Sequence, residues 1–417
     1  MKSSESRRDM LNQFIGLARV YRGWSKGQLA AALDRDPTKL VPETGNPKLD
    51  LVVRLAGVLD WPVGDVAEGI WVSESRSQSS GNDPTEAHFA ELDRLALDAH
   101  RSGDHAAMVS IAGRMAAIAE TSQQRAIAAN REAGGWDGMG RFTKVLEAVQ
   151  RGLHEQPITT PLRLMLQANL ANAHYTLWHL VEARAVARDL LDHFEECPPT
   201  TRLERVTHAF AHYVRGNATR RMLDSDPSSA ARTAGRAKMD LERAMHMYEA
   251  LASEFSDESY SGVANTCRGA IIETDVALEL RTPTAAAEEL SQGLDKVVDT
   301  ESFPVGDWLE SYGWWCIYGC NIALRGLDGR DLHRHMAVFT NKAAEIADRT
   351  NNWSMREQVF TLEHFRRQRV ADATGFDPDW LIDEDEVRVI AGTMGRFPHF
   401  RQTGWRILQA ARILDEN

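Results

Sequence analysis

The chain is short of cysteine, of long apolar runs and of catalytic signatures, and each shortage narrows what it can be. Its 417 residues include four cysteines, Cys197, Cys267, Cys316 and Cys320, with no paired framework. That usage fits a reducing cytoplasm rather than an oxidising compartment. No window approaches the ~20 continuous apolar residues of a membrane span, so no membrane partner is expected. Residues 1–9 are polar and charged with no apolar stretch behind them, which leaves no secretory signal to read. There is no glycine-rich phosphate loop, no H-E-x-x-H pair and no nucleophile elbow, so neither an enzyme nor a cofactor is expected. β-branched residues are sparse and alanine is abundant, which favours helix and an all-α class.

The net charge of −12 is unevenly spread. Residues 1–72 carry ten basic and nine acidic side chains, or +1, which leaves −13 on the remainder. A near-neutral head with a basic start, on an acidic body, allows nucleic-acid contact only at the head.

Within the head, Leu11, Phe14, Ile15, Leu17, Ala18 and Tyr21 follow a helical period that Gly23 closes. Ser25 to Gln28 reads as a capping box for a second helix carrying Leu29, Ala30 and Leu33. Asp36-Pro37 predicts an N-cap and first-turn proline for a short third helix, which Pro42 ends near Leu40-Val41. Two more helices follow, one from Leu49 to Leu59 and one from Val63 to Ile70. Residues 73–84 are polar and serine-rich and read as a linker. The expected division is 1–72, 73–84 and 85–417.

The body shows helix–turn–helix units with a period of about 40 residues. The clearest is Leu170-Ala171-Asn172-Ala173-His174-Tyr175 followed by Glu182-Ala183, and Val214-Arg215-Gly216-Asn217-Ala218 repeats its core. Arg268-Gly269-Ala270 and Gly319-Cys320-Asn321 are weaker copies. Ala171, Gly216, Gly269 and Cys320 fall where paired helices approach closely. A break is expected at Gly134-Gly135, and a helical cap over 383–394 and 399–414.

The head resembles the Cro/repressor-type (XRE) helix-turn-helix domain on Ser25, Gln28, Leu29, Ala30, Leu33, Leu40, Glu43, Gly45 and Pro47. That resemblance implies that Lys26 and Gln28 meet the backbone of double-stranded DNA. Arg35, Thr38 and Lys39 would face the groove, and Lys48 would reach a flanking phosphate. The body resembles the tetratricopeptide repeat, which implies a right-handed α-solenoid with a concave binding face. On that pattern Asn172, Asn217 and Asn321 face the groove, with Asn130 one residue out of register. Tyr175, Tyr213, Arg220, Trp314 and Arg325 fall on neighbouring groove-facing sites. Asparagine amides both donate and accept, so such a ladder would grip a peptide backbone. Asparagine at that position is also common in repeats with no ligand.

Together the two parts resemble the peptide-pheromone-sensing tetratricopeptide regulators (RRNPP-like) of bacteria and their phages. The resemblance implies a homodimeric transcription regulator in quorum sensing, whose body binds a short peptide or protein ligand and re-spaces the heads on an operator. The alternative is a protein-interaction scaffold with a degenerate, non-DNA-binding head. Cys316 and Cys320 share a helix face and read as packing, and His333 and His335 as surface residues. The aromatic set Phe303, Trp308, Trp314 and Trp315 reads as core, with a ligand pocket as the other possibility.

Overall fold

The computed structural model describes residues 2–42, 46–59, 61, 63–71, 86–223, 227–375 and 380–413. They form two compact units, Met1–Pro84 and Thr85–Asn417. Residues 73–84, read as a linker, and Glu43 and Gly45 of the head motif lie outside the described residues.

The head holds α1 (Lys2–Arg22), α2 (Lys26–Ala32), α3 (Leu49–Leu59) and α4 (Val63–Trp71). One core joins them: Leu11, Phe14, Ile15 and Ala18 of α1 meet Leu29 of α2, Leu51 and Leu55 of α3, and Val66 and Ile70 of α4. The capping box forms as expected, with the Ser25 hydroxyl accepting from the Gln28 amide at 3.3 Å and the Gln28 side chain accepting from the Ser25 amide at 2.8 Å.

The short third helix does not form. Residues 33–42 run as turns and bends. Asp34 takes a left-handed φ of 54°, which ends α2. Pro37 and Pro42 bias the residues before them away from helix. The Asp36 carboxylate accepts from the Thr38 amide at 2.7 Å, a side-chain turn that competes with helical bonding. Leu40, 3% exposed, pins the segment to the core instead.

The body is built of helix hairpins: α5 (Glu86–Arg101) with α6 (His105–Ile118), α7 (Ser122–Gly138) with α8 (Phe142–His154), and α9 (Thr160–Thr176) with α10 (Leu180–Glu196). Then come α11 (Arg202–Arg221) with α12 (Ala230–Phe255), α13 (Glu258–Ala277) with α14 (Pro283–Gly293), and α15 (Asp307–Gly326) with α16 (Gly329–Arg349). The long α17 (Trp353–Thr374), β1 (Trp380–Ile382), α18 (Glu384–Arg396), α19 (Arg401–Ala410) and β2 (Ala411–Ile413) complete it. Each hairpin packs on the next, and the first helices of successive hairpins stack on one another. Small residues do sit at the close approaches: a Cβ on Gly216 would meet Leu241 at 2.9 Å, and one on Gly269 would meet the Trp315 ring at 2.5 Å. No helix among the described residues is long and apolar enough to cross a membrane.

Three further expectations need correction. The helix does not break at Gly134-Gly135, because α7 runs through to Gly138. Glycine serves close packing there, since a Cβ on Gly135 would lie 2.6 Å from Val109 and 3.0 Å from the His105 carbonyl. His335 is not a surface residue: it is 4% exposed, with its ring 5.9 Å from that of Phe339.

The third correction concerns the C-terminal segment, which does more than cap the last repeat. β1 and β2 pair in parallel, holding the ends of the segment together. Its buried Trp380, Ile390, Phe397, Phe400 and Ile407 share one core with Val145, Val149, Leu162 and Leu166 of α8 and α9. Phe142 and Phe397 lie 5.9 Å apart, and Arg396 donates to the Met139 carbonyl at 3.2 Å. The last helices therefore pack against the second and third hairpins, and the array closes on itself. An open solenoid groove becomes an interior.

Candidate functional site

The interior contains a cavity of about 470 Å³. Inward-facing first helices supply most of its wall: Asp137 from α7, Asn172 and Tyr175 from α9, Phe210 and Tyr213 from α11, and Thr266 from α13. Asp307, Glu310 and Trp314 come from α15, and Trp353 from the start of α17. His105, Phe142, Arg221 and Tyr248 complete the aromatic and polar lining. Trp353 belongs to the closing face, since a Cβ on Gly140 would strike it at 2.9 Å and the Arg396 guanidinium lies 3.6 Å above its ring. The cavity thus depends on both ends of the array.

Its electrostatics are acidic. Asp137 is an exposed residue of this wall, with protein packed around its carboxyl. Burial pushes its carboxyl up to about 6, and the amide of Asn172, donating at 3.3 Å, offsets only part of that. Glu310 is also raised, first by burial and further by the charges of Asp307 and Asp137. Its Oε1 accepts from Trp314 Nε1 and from Asn352 Nδ2, both at 2.9 Å. Asp307 is raised by burial and by Asp257. None of the three forms an ion pair among the described residues. Arg221 lies elsewhere on the wall, 4.0 Å from the Tyr175 ring centre and 4.5 Å from that of Trp178, with Nη1 donating to the Tyr175 carbonyl at 3.0 Å.

The nine residues assigned to a groove separate into three groups. Asn172, Tyr175, Tyr213 and Trp314 line this cavity. Arg220, Asn321 and Arg325 line a second one of about 380 Å³, together with Trp178, Arg221 and Arg369. Asn130 and Asn217 reach neither, because both are inside the wall at 6% and 0% exposure. Asn130 accepts from Asn169 Nδ2 at 2.9 Å, and Asn217 donates to the Tyr213 carbonyl at 3.1 Å.

The ladder does not stand free in a groove, because a buried carboxylate captures much of it. Glu273 on α13 is fully buried and accepts from Arg220 Nη1 and Arg325 Nη1, both at 2.6 Å, and from Asn321 Nδ2 at 3.3 Å. Arg220 Nε donates in turn to Asn217 at 3.3 Å, and its guanidinium lies 4.5 Å from the Tyr318 ring. Helices α11, α13 and α15 are thereby tied together by one charged network.

The aromatic set divides: Phe303 is half-buried against the core, Trp308 is exposed, and Trp314 and Trp315 part ways. Trp315 is 9% exposed and donates to the Asn265 carbonyl at 2.7 Å, as core. Trp314, one position earlier, turns to the cavity. Cys316 and Cys320 are buried in the core, as the packing reading required. No group of His, Cys, Asp and Glu among the described residues is placed to hold a metal ion.

Of the residues assigned to DNA, Lys26, Lys39 and Lys48 are exposed. Gln28 is engaged in the capping box and Thr38 in the turn with Asp36. Arg35 is held by Asp50 of α3 at 2.5 Å.

Asp137, Glu310, Asp307 and Trp353 were missed from the sequence. Asp137 lies in the run Gly134-Gly135-Trp136-Asp137-Gly138, which reads as a break rather than a wall. Glu310 stands one helical turn before Trp314, the one signal that could have led to it. Compared with known protein-family models and with curated protein sequences, the chain matches none.

Proposed function

We propose that the chain is a ligand-responsive regulator, in which the helical-repeat body is the receptor and the head contacts double-stranded DNA. The observation that carries this reading is the cavity, whose wall draws on α7 and α9 at one end of the array and α15 and α17 at the other. A ligand there touches helices that must keep their spacing for the body to stay closed. Its differential affinity for two body shapes would be the regulatory signal. The volume of about 470 Å³ lies in the range that holds compact organic ligands, or the end of a short peptide, rather than a protein. A homodimer would present two heads to an operator, as in the regulators that the chain resembles.

Exposed Lys26, Lys39 and Lys48 support phosphate contact by the head. With no helix over 33–42, the contact proposed is to the DNA backbone rather than to base edges. Fluorescence anisotropy of the full chain with labelled duplex tests it. Three phosphate contacts per head give a log–log salt slope of about −3 for each head. Lys26→Glu and Lys39→Glu should each flatten that slope by about one. Absence of salt-dependent binding at low ionic strength refutes the regulator reading.

A second reading, a scaffold whose head docks on protein, is favoured by the Arg35–Asp50 pair and the Asp36–Thr38 turn, which occupy groove-facing groups. It gains if both charge reversals leave DNA retention unchanged.

A further inference from the structure

The cavity in the body is acidic and aromatic at once. Asp137, Asp307 and Glu310 share it, and the charges of Asp137 and Asp307 are both felt at Glu310. Arg221, the arginine of the wall, is not among the charges felt at Asp137, Asp307 or Glu310. Arg221 is spent on the rings of Tyr175 and Trp178 and on a backbone carbonyl, and its charge is felt instead at Glu357. Glu310 commits Oε1 to Trp314 and Asn352, while no donor among the described residues reaches Oε2. The lining rings of Phe142, Tyr175, Phe210, Tyr213, Trp314 and Trp353 add apolar surface and π-faces.

His105 also belongs to the wall, but its Nδ1 is covered by protein, with the ring packed on Gly138, and it offers the lumen no acceptor. Because the acids are not gathered as a metal site among the described residues, a metal ion does not answer this arrangement.

Resting on the reading of the body as a receptor, we propose that the cavity binds a compact organic cation, an ammonium carried on an apolar or aromatic body. The ammonium would take its place between Asp137 and Glu310, and the body would lie among the rings. Ion pairing and cation–π attraction act together there. Neutral and anionic molecules of the same shape gain only the apolar contacts and meet uncompensated carboxylates.

The test uses the full chain and calorimetric titration at fixed ionic strength. The probes are 2-phenylethylammonium, tetramethylammonium and 1,4-diaminobutane, with 2-phenylethanol and phenylacetate as neutral and anionic counterparts. At least one cation should bind saturably at or below about 1 mM, and at least about tenfold more tightly than its counterparts. Asp137→Asn and Glu310→Gln should each weaken that cation about tenfold or more, with unchanged far-UV circular dichroism.

The pH dependence has a definite sign. The cation binds the ionised carboxylate, so a proton on Asp137, whose carboxyl titrates at about 6, competes with it. Affinity should fall about tenfold between about pH 7.5 and about pH 5, and Asp137→Asn should flatten that fall. If 2-phenylethanol or phenylacetate binds as well as the cations, the cation proposal is overturned while the receptor reading stands. If none of the five probes binds up to about 10 mM, both fall.

Discussion

Glu273 offers the sharpest test of how the body is held. Its side chain is 0% exposed, and Arg220, its partner at 2.6 Å, is 3% exposed. At charge centres about 4 Å apart and an effective dielectric of about 20, the attraction is about 4 kcal/mol, most of which offsets the cost of burying both groups. Replacing the carboxylate by an amide keeps one acceptor but leaves the Arg220 charge buried without a counter-ion. Breaking such a pair costs about 3–5 kcal/mol, and Glu273→Gln should fall near the low end. The contact to Arg325, which is 30% exposed, adds only about 0–1 kcal/mol after screening. Urea unfolding of the full chain should show the midpoint falling by about 1 M. Arg388→Ala, which removes exposed pairs to Glu384 and Asp385, is the control and should change stability by no more than about 0.5 kcal/mol. The double variant Arg220→Met/Glu273→Met should recover most of the loss, since no unpaired charge then stays buried. The reasoning is refuted if Glu273→Gln destabilises no more than Arg388→Ala, or if the double variant is as unstable as the single one.

Two further outcomes follow from packing. A Cβ on Gly262 would lie 2.5 Å from the carbonyl carbon of Asp307 and 2.7 Å from the Trp308 amide, both backbone. Gly262→Ala should therefore destabilise by about 1–3 kcal/mol by thermal melting. Gly57→Ala, with nothing within 4 Å, should stabilise by about 0.5–1 kcal/mol, and equal effects would show that the clash is absent. Cys197 is exposed, whereas Cys267, Cys316 and Cys320 are buried with their thiols pushed up by burial. A thiol reagent should label the native chain only at Cys197 and all four sites in denaturant, as read by mass spectrometry of labelled peptides.

Most of the secondary structure was legible because it rests on local physics. The period of apolar residues and Ser25 as a cap are properties of neighbours in the chain. Gly216 and Gly269 marked close approaches because the size of a residue is local too. Local signals failed where a distant partner decided the outcome. At residues 33–42, Leu40 bound to the core and Arg35 bound to Asp50 outweighed an N-cap and a first-turn proline. At Gly134-Gly135, the approach of α6 made a helical glycine useful rather than disruptive.

The candidate site was half legible for the same reason. The repeat pattern that the body resembles places Asn172, Tyr175, Tyr213 and Trp314 on inward faces, and they line the cavity. Register cannot reveal that Glu273, some fifty residues from Arg220 and Arg325, turns the rest of the ladder into an internal network. Nor can it reveal that Phe397 and Phe400 fold back onto α8 and α9. The sequence by itself determined an all-helical chain of stacked hairpins, since periodicity and small-residue spacing act within one or two helices. Only the tertiary structure decided that the stack closes. Closure rests on apolar surfaces more than two hundred residues apart, and it brings Asp137, Glu310 and Trp353 into one cavity.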